Sequence, residues 1–327
     1  MSHLSLPLTD LYSPIRDDLA VVERLFDEEI ASDFDFVNGF CDTVRSYRGK
    51  MLRPAMLLLA GKATGELSGA HRTLAAVVEM VHMATLVHDD VLDEADERRR
   101  QPTIASIAGN TTAVLLGDYL ISHAFHLCSG LQSQYASRRI GATTNLVCEG
   151  ELLQNHHRGD LDLTEETYLQ IIRRKTGTLT AVSAELGAKF AGAGDALVGA
   201  MHDYGMSAGV AFQIVDDVLD IVGDQGRVGK TLGLDLPHGN LTLPVIHCVA
   251  HADQSTLSTL RDLLCGSRPC GREPVRDLLE TTQSLTYAID VARRFVQDAV
   301  KQLDLVPLSD AQQSLVAMAE FIVARQF

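Results

Sequence analysis

The stretch "HDDVLDE", His88 to Glu94, sets two adjacent carboxylates and a third one turn later within a long apolar run of helical periodicity. The same five residues, Asp-Asp-Val-Leu-Asp, return in "VDDVLDI", Val215 to Ile221, inside a second apolar run. A helix core does not accommodate carboxylates without a large cost, and a solvated face does not need one pattern twice. The repetition therefore predicts two helices that face each other and hold metal ions between them.

The spacing within each motif places carboxylates on one helix face. At about 100° per residue, Asp89 and Asp93 lie within about 40° of each other, and His82 shares their face. The same arithmetic aligns Asp216 with Asp220. Mg²⁺ suits such a site, because it takes one or two carboxylates per ion and is completed by water and substrate phosphates. Solvated acidic turns near helix C-termini are the alternative, which is disfavoured because acid there opposes the helix macrodipole.

The composition describes a globular protein with a large core and restricts its partners. Hydrophobic residues make up 46% of the 327 residues, and the formal net charge is −15. That charge argues against nucleic acid as a partner, and an anionic substrate would need cations between itself and the protein. No apolar run approaches the roughly 20 residues that span a bilayer, and no signal peptide is recognisable. Six cysteines form no CxxC pair and no zinc-binding spacing, which predicts free buried thiols and a cytoplasmic protein.

Helical periodicity dominates the chain. Apolar residues recur at helical spacing in eight long segments, and neither strand–helix alternation nor an Asn-Gly hairpin between strands is present. Thr164 and Ser309 mark two helix starts, because each precedes acidic residues. The sequence predicts an all-α chain that forms one domain over residues 1–327. The eight segments are 52–63, 71–96, 112–131, 138–157, 164–192, 195–223, 281–303 and 309–326.

Three clusters of cations and one long irregular stretch accompany the motifs. Each cluster alone is more often a solvated group of charges, but together they predict two polyphosphate subsites, one using metal ions plus lysine and one using lysine and arginine directly. The irregular stretch, residues 223–244, follows the second motif and carries Lys230, which predicts a mobile lid. The clusters are Arg48, Lys50 and Arg53; Arg98, Arg99 and Arg100; and Arg173, Arg174 and Lys175.

From about residue 48 to residue 243 the chain resembles the trans-isoprenyl (polyprenyl) diphosphate synthases, and its motifs occur in that family's order. "RGKMLRP" is similar to the family's GGKRxRP, and "CEGELLQ" and "RRKTG" are similar to its GExLQ and KT elements. "VHDDVLDEADERRRQPT" and "FQIVDDVLDIVGD" resemble its two aspartate-rich regions, and "VGKTLGLDL" with "GNLTLP" resembles its lid. The resemblance implies a helical bundle of the isoprenoid synthase type with a central cavity.

The resemblance also implies a reaction and a set of residue roles. Three Mg²⁺ ions would stabilise the leaving diphosphate of an allylic substrate while isopentenyl diphosphate attacks, in an enzyme that resembles octaprenyl and geranylgeranyl diphosphate synthases and works as a homodimer. The implied metal residues are Asp89, Asp93 and Asp216, supported by Asp90, Asp217 and Asp220. The implied allylic-diphosphate residues are Arg98, Lys175 and Lys230, with Thr176 and Gln213 beside the allylic cation. The implied isopentenyl-diphosphate residues are Lys50, Arg53, His82 and Arg99.

Four positions depart from the family pattern. Arg48 replaces a glycine and Met51 replaces a basic residue, which alters the isopentenyl subsite. Arg100 replaces a glycine after the arginine pair. Asn240 replaces the lysine of GKxTLP, which removes one cation near the allylic phosphate. None of these positions is an implied metal ligand, so a reduced phosphate affinity is the largest effect that we expect.

Three other functions remain as alternatives. Glu79-x-x-His82 has the spacing of a di-iron bundle, but no second histidine has glutamate three residues before it. A class I terpene cyclase would not need the cations Lys50, Arg53 and Arg99. A non-catalytic subunit of a heteromeric synthase would be expected to lose metal aspartates, and both motifs are intact.

The sequence also predicts the direction in which the product grows. Thr85 lies one turn, about 5.4 Å, below Asp89 on the same face. In the family the fifth residue before this motif is the first floor of the pocket, and here Ala84 presents only a methyl group, with Val81 further down. We therefore expect products longer than C15, of C30 to C45, with C20 as the alternative. The opposing floor is expected from Phe125, His126 or Ile140.

Overall fold

The computed structural model of the chain describes residues 8–223, 238–265 and 272–324. Within these ranges almost all regular structure is helical, so the expectation of an all-α fold is confirmed. The first eight helices are α1 (Leu8–Leu11), α2 (Arg16–Glu29), α3 (Asp35–Ser46), α4 (Leu52–Thr64), α5 (Gly69–Leu92), α6 (Ile104–Ala108), α7 (Asn110–Gly130) and α8 (Gln134–His156). The others are α9 (Glu165–Ile172), α10 (Thr178–Phe190), α11 (Asp195–Val222), α12 (Leu243–His251), α13 (Gln254–Cys265), α14 (Arg272–Thr281), α15 (Ser284–Gln302) and α16 (Asp310–Ala324).

The long helices coincide with the periodic segments of the sequence, whereas seven shorter helices were not predicted. The missed helices are α1, α2, α3, α6, α12, α13 and α14. In α2 only Val22 and Phe26 are fully buried, so its apolar stripe is too narrow to stand out among its charged residues. Helices α3 and α14, by contrast, are strongly amphipathic, so their pattern was present in the sequence and was missed.

The centre of the bundle is formed by α4, α5, α10 and α11. Helix α5 packs against α7, and α10 packs against both α4 and α11, which in turn packs against α15. Buried apolar side chains from Leu11 to Ile322 form one continuous cluster. Burial of apolar surface is the dominant stabilising term in folding, so this cluster fixes the helix ends that carry the two aspartate motifs.

A small hairpin follows the first motif and was not predicted. Strand β1 (Glu97–Arg98) pairs with β2 (Gln101–Pro102) in antiparallel register. Arg99 and Arg100 form its turn, with φ of 52° and 64°. Two-residue turns with positive φ at both positions prefer Asn and Gly, so the sequence lacks their usual signal. An arginine at position 100, where the family has glycine, adds backbone strain on the order of 1 kcal/mol.

The segment predicted as one helix over 164–192 is interrupted. It consists of α9, a π-helical turn at Arg173–Gly177, and α10. The helix start is as predicted, because Thr164 Oγ1 accepts a hydrogen bond of 3.2 Å from the Thr167 N–H. Wide turns of this kind frequently occur at functional sites, and this one contains Lys175 and Thr176.

Two expectations from composition can be compared with the structure. Cys41, Cys128 and Cys248 are buried free thiols, but Cys148 is exposed, so the expectation of buried thiols is wrong for Cys148. Among the helices in the described ranges, none is long and apolar enough to cross a membrane.

Candidate active site

The first aspartate motif lies at the end of α5. Asp89 and Asp90 belong to its last turn, whereas Asp93 is the residue after the helix, with its N–H bonded to the Asp89 carbonyl at 2.8 Å. The interpretation that all three aspartates sit inside a helix is therefore wrong for Asp93. Burial raises the pKa of Asp89 to about 6, Lys175 opposes this shift, and the carboxylates of Glu151 and Asp93 add to it. The negative end of the helix dipole and the carboxylates thus coincide, which attracts cations.

The second motif occupies the last two turns of α11, where a chain of hydrogen bonds fixes its geometry. Asp217 is buried, and accepts from the Tyr168 hydroxyl at 2.6 Å and from Gln213 Nε2 at 2.7 Å. Gln213 Oε1 in turn accepts from the Thr176 hydroxyl at 2.8 Å. This chain links α9, the π turn and α11, and it holds both Thr176 and Gln213 in one orientation. Asp216 and Asp220 lie on the same helix, with Asp220 buried.

Both motifs border one open cleft. The first motif contributes Asp93 and the second contributes Asp217. The proposed residues Lys175, Thr176 and Gln213 line the same cleft, so five residues from three parts of the sequence converge there. The other lining residues are Gln154, His157, Leu163, Tyr168, Ile171, Ile172, Asn240, Leu241 and Thr242.

Lys175 is surrounded by carboxylates of the first motif and of α8. Its Nζ lies 2.5 Å from Glu151 Oε2 and donates to Gln154 Oε1 at 2.9 Å. Burial alone would lower the pKa of Lys175, but Asp89, Glu151 and Asp93 outweigh it and raise the pKa. The lysine is therefore a fixed positive charge in the cleft. Lys230, the other lysine predicted here, lies outside the described residues, as do residues 224–237 of the predicted lid.

Asp90 and Arg98 form an ion pair behind the first motif. Arg98 Nε donates to Asp90 Oδ1 at 2.7 Å, and the Asp90 side chain is almost completely buried. Asp90 Oδ2 is also buried and has no hydrogen-bond partner among the described residues. Burial raises the pKa of Asp90 although Arg98 opposes the shift. The pair holds Arg98 beside the motif.

The residues predicted for isopentenyl diphosphate come from the start of α4, from α5 and from the hairpin turn. Arg99 lies against the backbone of Gly49, where a side-chain Cβ would come within 2.3 Å of its guanidinium, and it donates to the Tyr47 carbonyl at 2.5 Å. Lys50 Nζ lies 5.5 Å from the centre of the Phe321 ring. Burial and the charges of Arg53 and Arg99 hold the pKa of His82 well below its usual value. Tyr47 and Gly49 therefore position Arg99 directly, whereas Lys50 lies against α16.

Glu79 is a buried carboxylate that faces this cation group. It is 2% exposed, and its Oε2 has no hydrogen-bond partner within the described ranges. Burial raises the pKa of Glu79, whereas Arg53, Arg48 and Arg99 act in the opposite direction. Arg48 itself is directed to Asp27, at 2.5 Å, and over the Phe26 ring. Glu79 thus supplies a counter-charge that concentrates arginines at one end of the site.

Sequence reasoning missed the roles of Glu79, Glu151, Gln154, Tyr168 and His157. For Glu151 and Gln154 a signal was present in the "CEGELLQ" motif. Tyr168 carries no motif of its own, and the spacing of Glu79 from His82 suggested a metal ligand instead of a partner for arginines. His157 lines the cleft, but it lies just after the end of α8 and outside the "CEGELLQ" motif, so no motif marked it.

The donors around the cleft fit magnesium that is held jointly by protein and substrate. Among the described residues, no three His, Cys, Asp or Glu side chains are close enough to hold a metal ion by themselves. Mg²⁺ usually takes one or two carboxylates and completes its shell with water and phosphate, so a three-ligand cage is not required. The raised pKa of Asp89 and the unpartnered Asp90 Oδ2 mark carboxylates whose surroundings supply too little positive charge.

The residues predicted to control chain length lie below the first motif. Ala84 is fully buried, Val81 is 1% exposed, and the Thr85 hydroxyl donates to the His82 carbonyl at 2.8 Å. None of the three lines the open cleft. Of the three candidates for the opposing floor, Phe125 and His126 are exposed and Ile140 is 1% exposed. Of the three, only Ile140 is buried within the single chain.

Comparison with known proteins connects this geometry to one family. A sequence profile described as Polyprenyl synthetase matches residues 35–282. Octaprenyl diphosphate synthase from Escherichia coli (strain K12) is 33% identical over 311 residues, which cover 94% of this chain and 96% of that protein. All-trans-nonaprenyl-diphosphate synthase (geranyl-diphosphate specific) from Rhodobacter capsulatus is 36% identical over 321 residues, 97% of each chain.

The fold gives the same result. A crystal structure of polyprenyl synthase from Caulobacter crescentus CB15, complexed with calcium and isoprenyl diphosphate, superimposes with a TM-score of 0.94. The two chains are 32% identical, and the superposition covers 99% of each. The sequence profile and the fold agree over most of the chain, and both include the two aspartate motifs. The chain therefore belongs to the polyprenyl synthetase family of prenyltransferases.

Proposed function

We propose that this chain is a magnesium-dependent synthase that condenses isopentenyl diphosphate head-to-tail with an allylic diphosphate to give an all-trans polyprenyl diphosphate. The observation that carries the proposal is the convergence of both aspartate motifs and Lys175 on one cleft. A product longer than C15, of C30 to C45, is supported by the small side chain of Ala84 and by the long-chain products in the names of the relatives. C20 remains the alternative product.

In this proposal the carboxylates of the first motif and the side chains of Asp216, Asp217 and Asp220 hold three magnesium ions with the allylic diphosphate. When bound, magnesium would neutralise the charge that develops on the leaving diphosphate. Lys175 and Arg98 donate hydrogen bonds to the same diphosphate, together with Lys230 from the predicted lid. Because both lysine and arginine are fixed by carboxylate partners, little reorganisation is needed when the C–O bond ionises.

Thr176 and Gln213 present oxygens beside the allylic cation. The hydrogen-bond chain through Asp217 and Tyr168 keeps the Gln213 amide from rotating its N–H groups towards positive charge. Lys50, Arg53, His82 and Arg99 bind isopentenyl diphosphate, and its double bond attacks the cation. The departing diphosphate takes the proton that is lost, so no side chain has to act as a dedicated base.

Three further expectations belong to the same proposal. A single domain is supported by the continuous hydrophobic cluster. A homodimer is supported by exposed apolar side chains on α7, namely Val114, Leu115 and Phe125. A cytoplasmic location stays a prediction.

The proposal is tested by incubating the full chain with labelled isopentenyl diphosphate, an allylic primer and Mg²⁺. We expect a labelled polyprenyl diphosphate that is absent when a chelator is added. A cyclic hydrocarbon from the allylic substrate alone would instead indicate a terpene cyclase. Complete inactivity that is restored only by a second protein would indicate a subunit of a heteromeric synthase.

Replacing Arg53 by glutamine should separate the two substrate subsites. Charge-assisted hydrogen bonds are worth about 1.5–3 kcal/mol, so we expect the KM for isopentenyl diphosphate to rise roughly 10- to 100-fold. The KM for the allylic primer should change less than about threefold, because Lys175 and Arg98 are untouched. Arg45→Gln is the matched control, since Arg45 pairs with Asp27 and Asp42. An equal rise in both KM values for Arg53→Gln would contradict the assignment of the subsites.

A further inference from the structure

Position 240 lies in the cleft without the cation that the family resemblance implies there. Asn240 lines the cleft together with Lys175 and Gln154. Its Oδ1 is buried and has no hydrogen-bond partner among the residues that the structure describes. Thr242, two residues later, also has a buried hydroxyl without a partner in those ranges. This wall of the cleft therefore presents polar atoms but no fixed positive charge of its own.

The turn after α8 packs directly against this wall. The Gly159 N–H donates to the Gly239 carbonyl at 2.8 Å. A Cβ on Gly239 would come within 3.0 Å of the Arg158 side chain, so the two segments are in close contact. His157 precedes Arg158 in this turn, and it lines the same cleft as Asn240.

The His157 ring is held by a carboxylate on its far side. Nδ1 lies 2.8 Å from Asp160 Oδ2, and the His157 side chain is 25% exposed. Asp160 Oδ1 accepts from the Asp162 N–H at 3.0 Å, which fixes the carboxylate in turn. The hydrogen bonds from His157 and Asp162 hold the pKa of Asp160 below its usual value. The carboxylate is thus a permanent anion that orients the imidazole.

We propose that His157 is a phosphate-binding residue of the allylic diphosphate subsite and replaces the lysine that is missing at position 240. The inference rests on the proposed function, because it assigns a further residue to the same cleft. Nε2 has no hydrogen-bond partner among the described residues, so it is available to a ligand. With Asp160 on one nitrogen and a phosphate oxygen on the other, both anions favour the doubly protonated ring, which donates from each nitrogen.

A purely structural role for His157 makes a different prediction. Its N–H bonds to the Gln154 and Leu153 carbonyls, so the residue also ends α8. A residue that only ends a helix would change the stability of the protein and affect both substrates alike. A phosphate ligand would change the affinity for one substrate selectively, and its loss would be compensated by a cation placed on the opposite side of the same cleft.

The test compares His157→Ala, the double variant His157→Ala/Asn240→Lys, and His157→Lys. The readouts are the KM values for both substrates and the affinity for inorganic pyrophosphate with Mg²⁺, measured by calorimetry. We expect His157→Ala to weaken allylic diphosphate and pyrophosphate about 10- to 100-fold, as expected for one charge-assisted hydrogen bond. The KM for isopentenyl diphosphate should stay within about twofold. Asn240→Lys in the double variant and His157→Lys should each recover most of the loss.

His156→Ala is the matched control, because its exposed ring contacts His157 edge-on but does not line the cleft. An unchanged pyrophosphate affinity in His157→Ala, or an equal loss for both substrates without recovery in the double variant, would overturn the inference. If the wild-type chain makes no polyprenyl diphosphate, the proposed function fails. The pyrophosphate measurement then still decides whether His157 binds phosphate, so the two failures are distinguishable.

Discussion

Replacing Asp216 by asparagine should lower kcat by about three orders of magnitude or more, and Asp89→Asn should do the same. Each change removes one negative charge from a metal-binding motif while it keeps the size of the side chain. Magnesium held less firmly at the diphosphate leaves more charge uncompensated as the C–O bond ionises, and such electrostatic terms are the largest in catalysis. Steady-state kinetics over a range of Mg²⁺ concentrations provides the measurement.

The control for this prediction lies on the same helix as Asp216. Asp203 is exposed on α11, so Asp203→Asn removes the same charge outside the cleft and should keep kcat within about twofold. Thermal unfolding of all variants shows whether the fold is preserved. Near-normal turnover in either Asp89→Asn or Asp216→Asn would rule out the two-motif magnesium site.

The two aspartate motifs could be predicted from sequence because their information is local. Spacing of three and four residues on a helix places carboxylates on one face, and apolar flanks identify the helix. The all-α fold follows from the same periodicity. What spacing could not give was the position of Asp93, which lies just past the end of α5. Helix ends are set by caps and by contacts from other segments, and these are weakly encoded in the pattern.

Other parts of the site depend on contacts between distant segments. The hydrogen-bond chain from Thr176 to Tyr168 passes through α11 and includes two residues more than 35 positions away. Glu79 was weighed as a metal ligand because of its spacing from His82, whereas the structure surrounds it with arginines. Such roles depend on tertiary packing, so no local pattern reveals them.

The hairpin explains the departure from the family pattern at Arg100. Arg100 occupies a position with φ of 64°, where glycine carries no steric penalty. The turn holds Arg99 against Gly49. It keeps this geometry although position 100 is arginine and not glycine. We therefore interpret Arg100 as a conformational cost at the turn and not as a change in the chemistry of the site.

Replacing Ala84 by phenylalanine should shorten the product from C30–C45 to C15 or C20. Ala84 is fully buried one helical turn and one residue before Asp89, on a helix that packs against α7. A growing chain that passes this level would meet the phenyl ring after two or three condensations. Chromatography of the dephosphorylated products gives the length distribution directly, and this readout does not depend on the total yield.

Ala75→Phe provides the matched control for steric disruption. Ala75 is fully buried on α5 nine residues before Ala84, which places it about 180° around the helix. Overpacking a filled core costs about 1–3 kcal/mol, so Ala75→Phe should lower stability without shortening the product. Farnesol as the wild-type product, or an unchanged product in Ala84→Phe, would place the floor elsewhere.

A second variant, at the expected opposing floor of the channel, should change the product length in the opposite direction. Ile140 is the one candidate for the opposing floor that is buried, since Phe125 and His126 are exposed. If α8 closes the channel with this side chain, Ile140→Ala should lengthen the product by one or more isoprene units while Ala84→Phe shortens it. A general loss of packing would broaden the product distribution in both variants in the same way. Shifts in opposite directions therefore identify a channel that runs from the aspartate motifs past Ala84 towards α8.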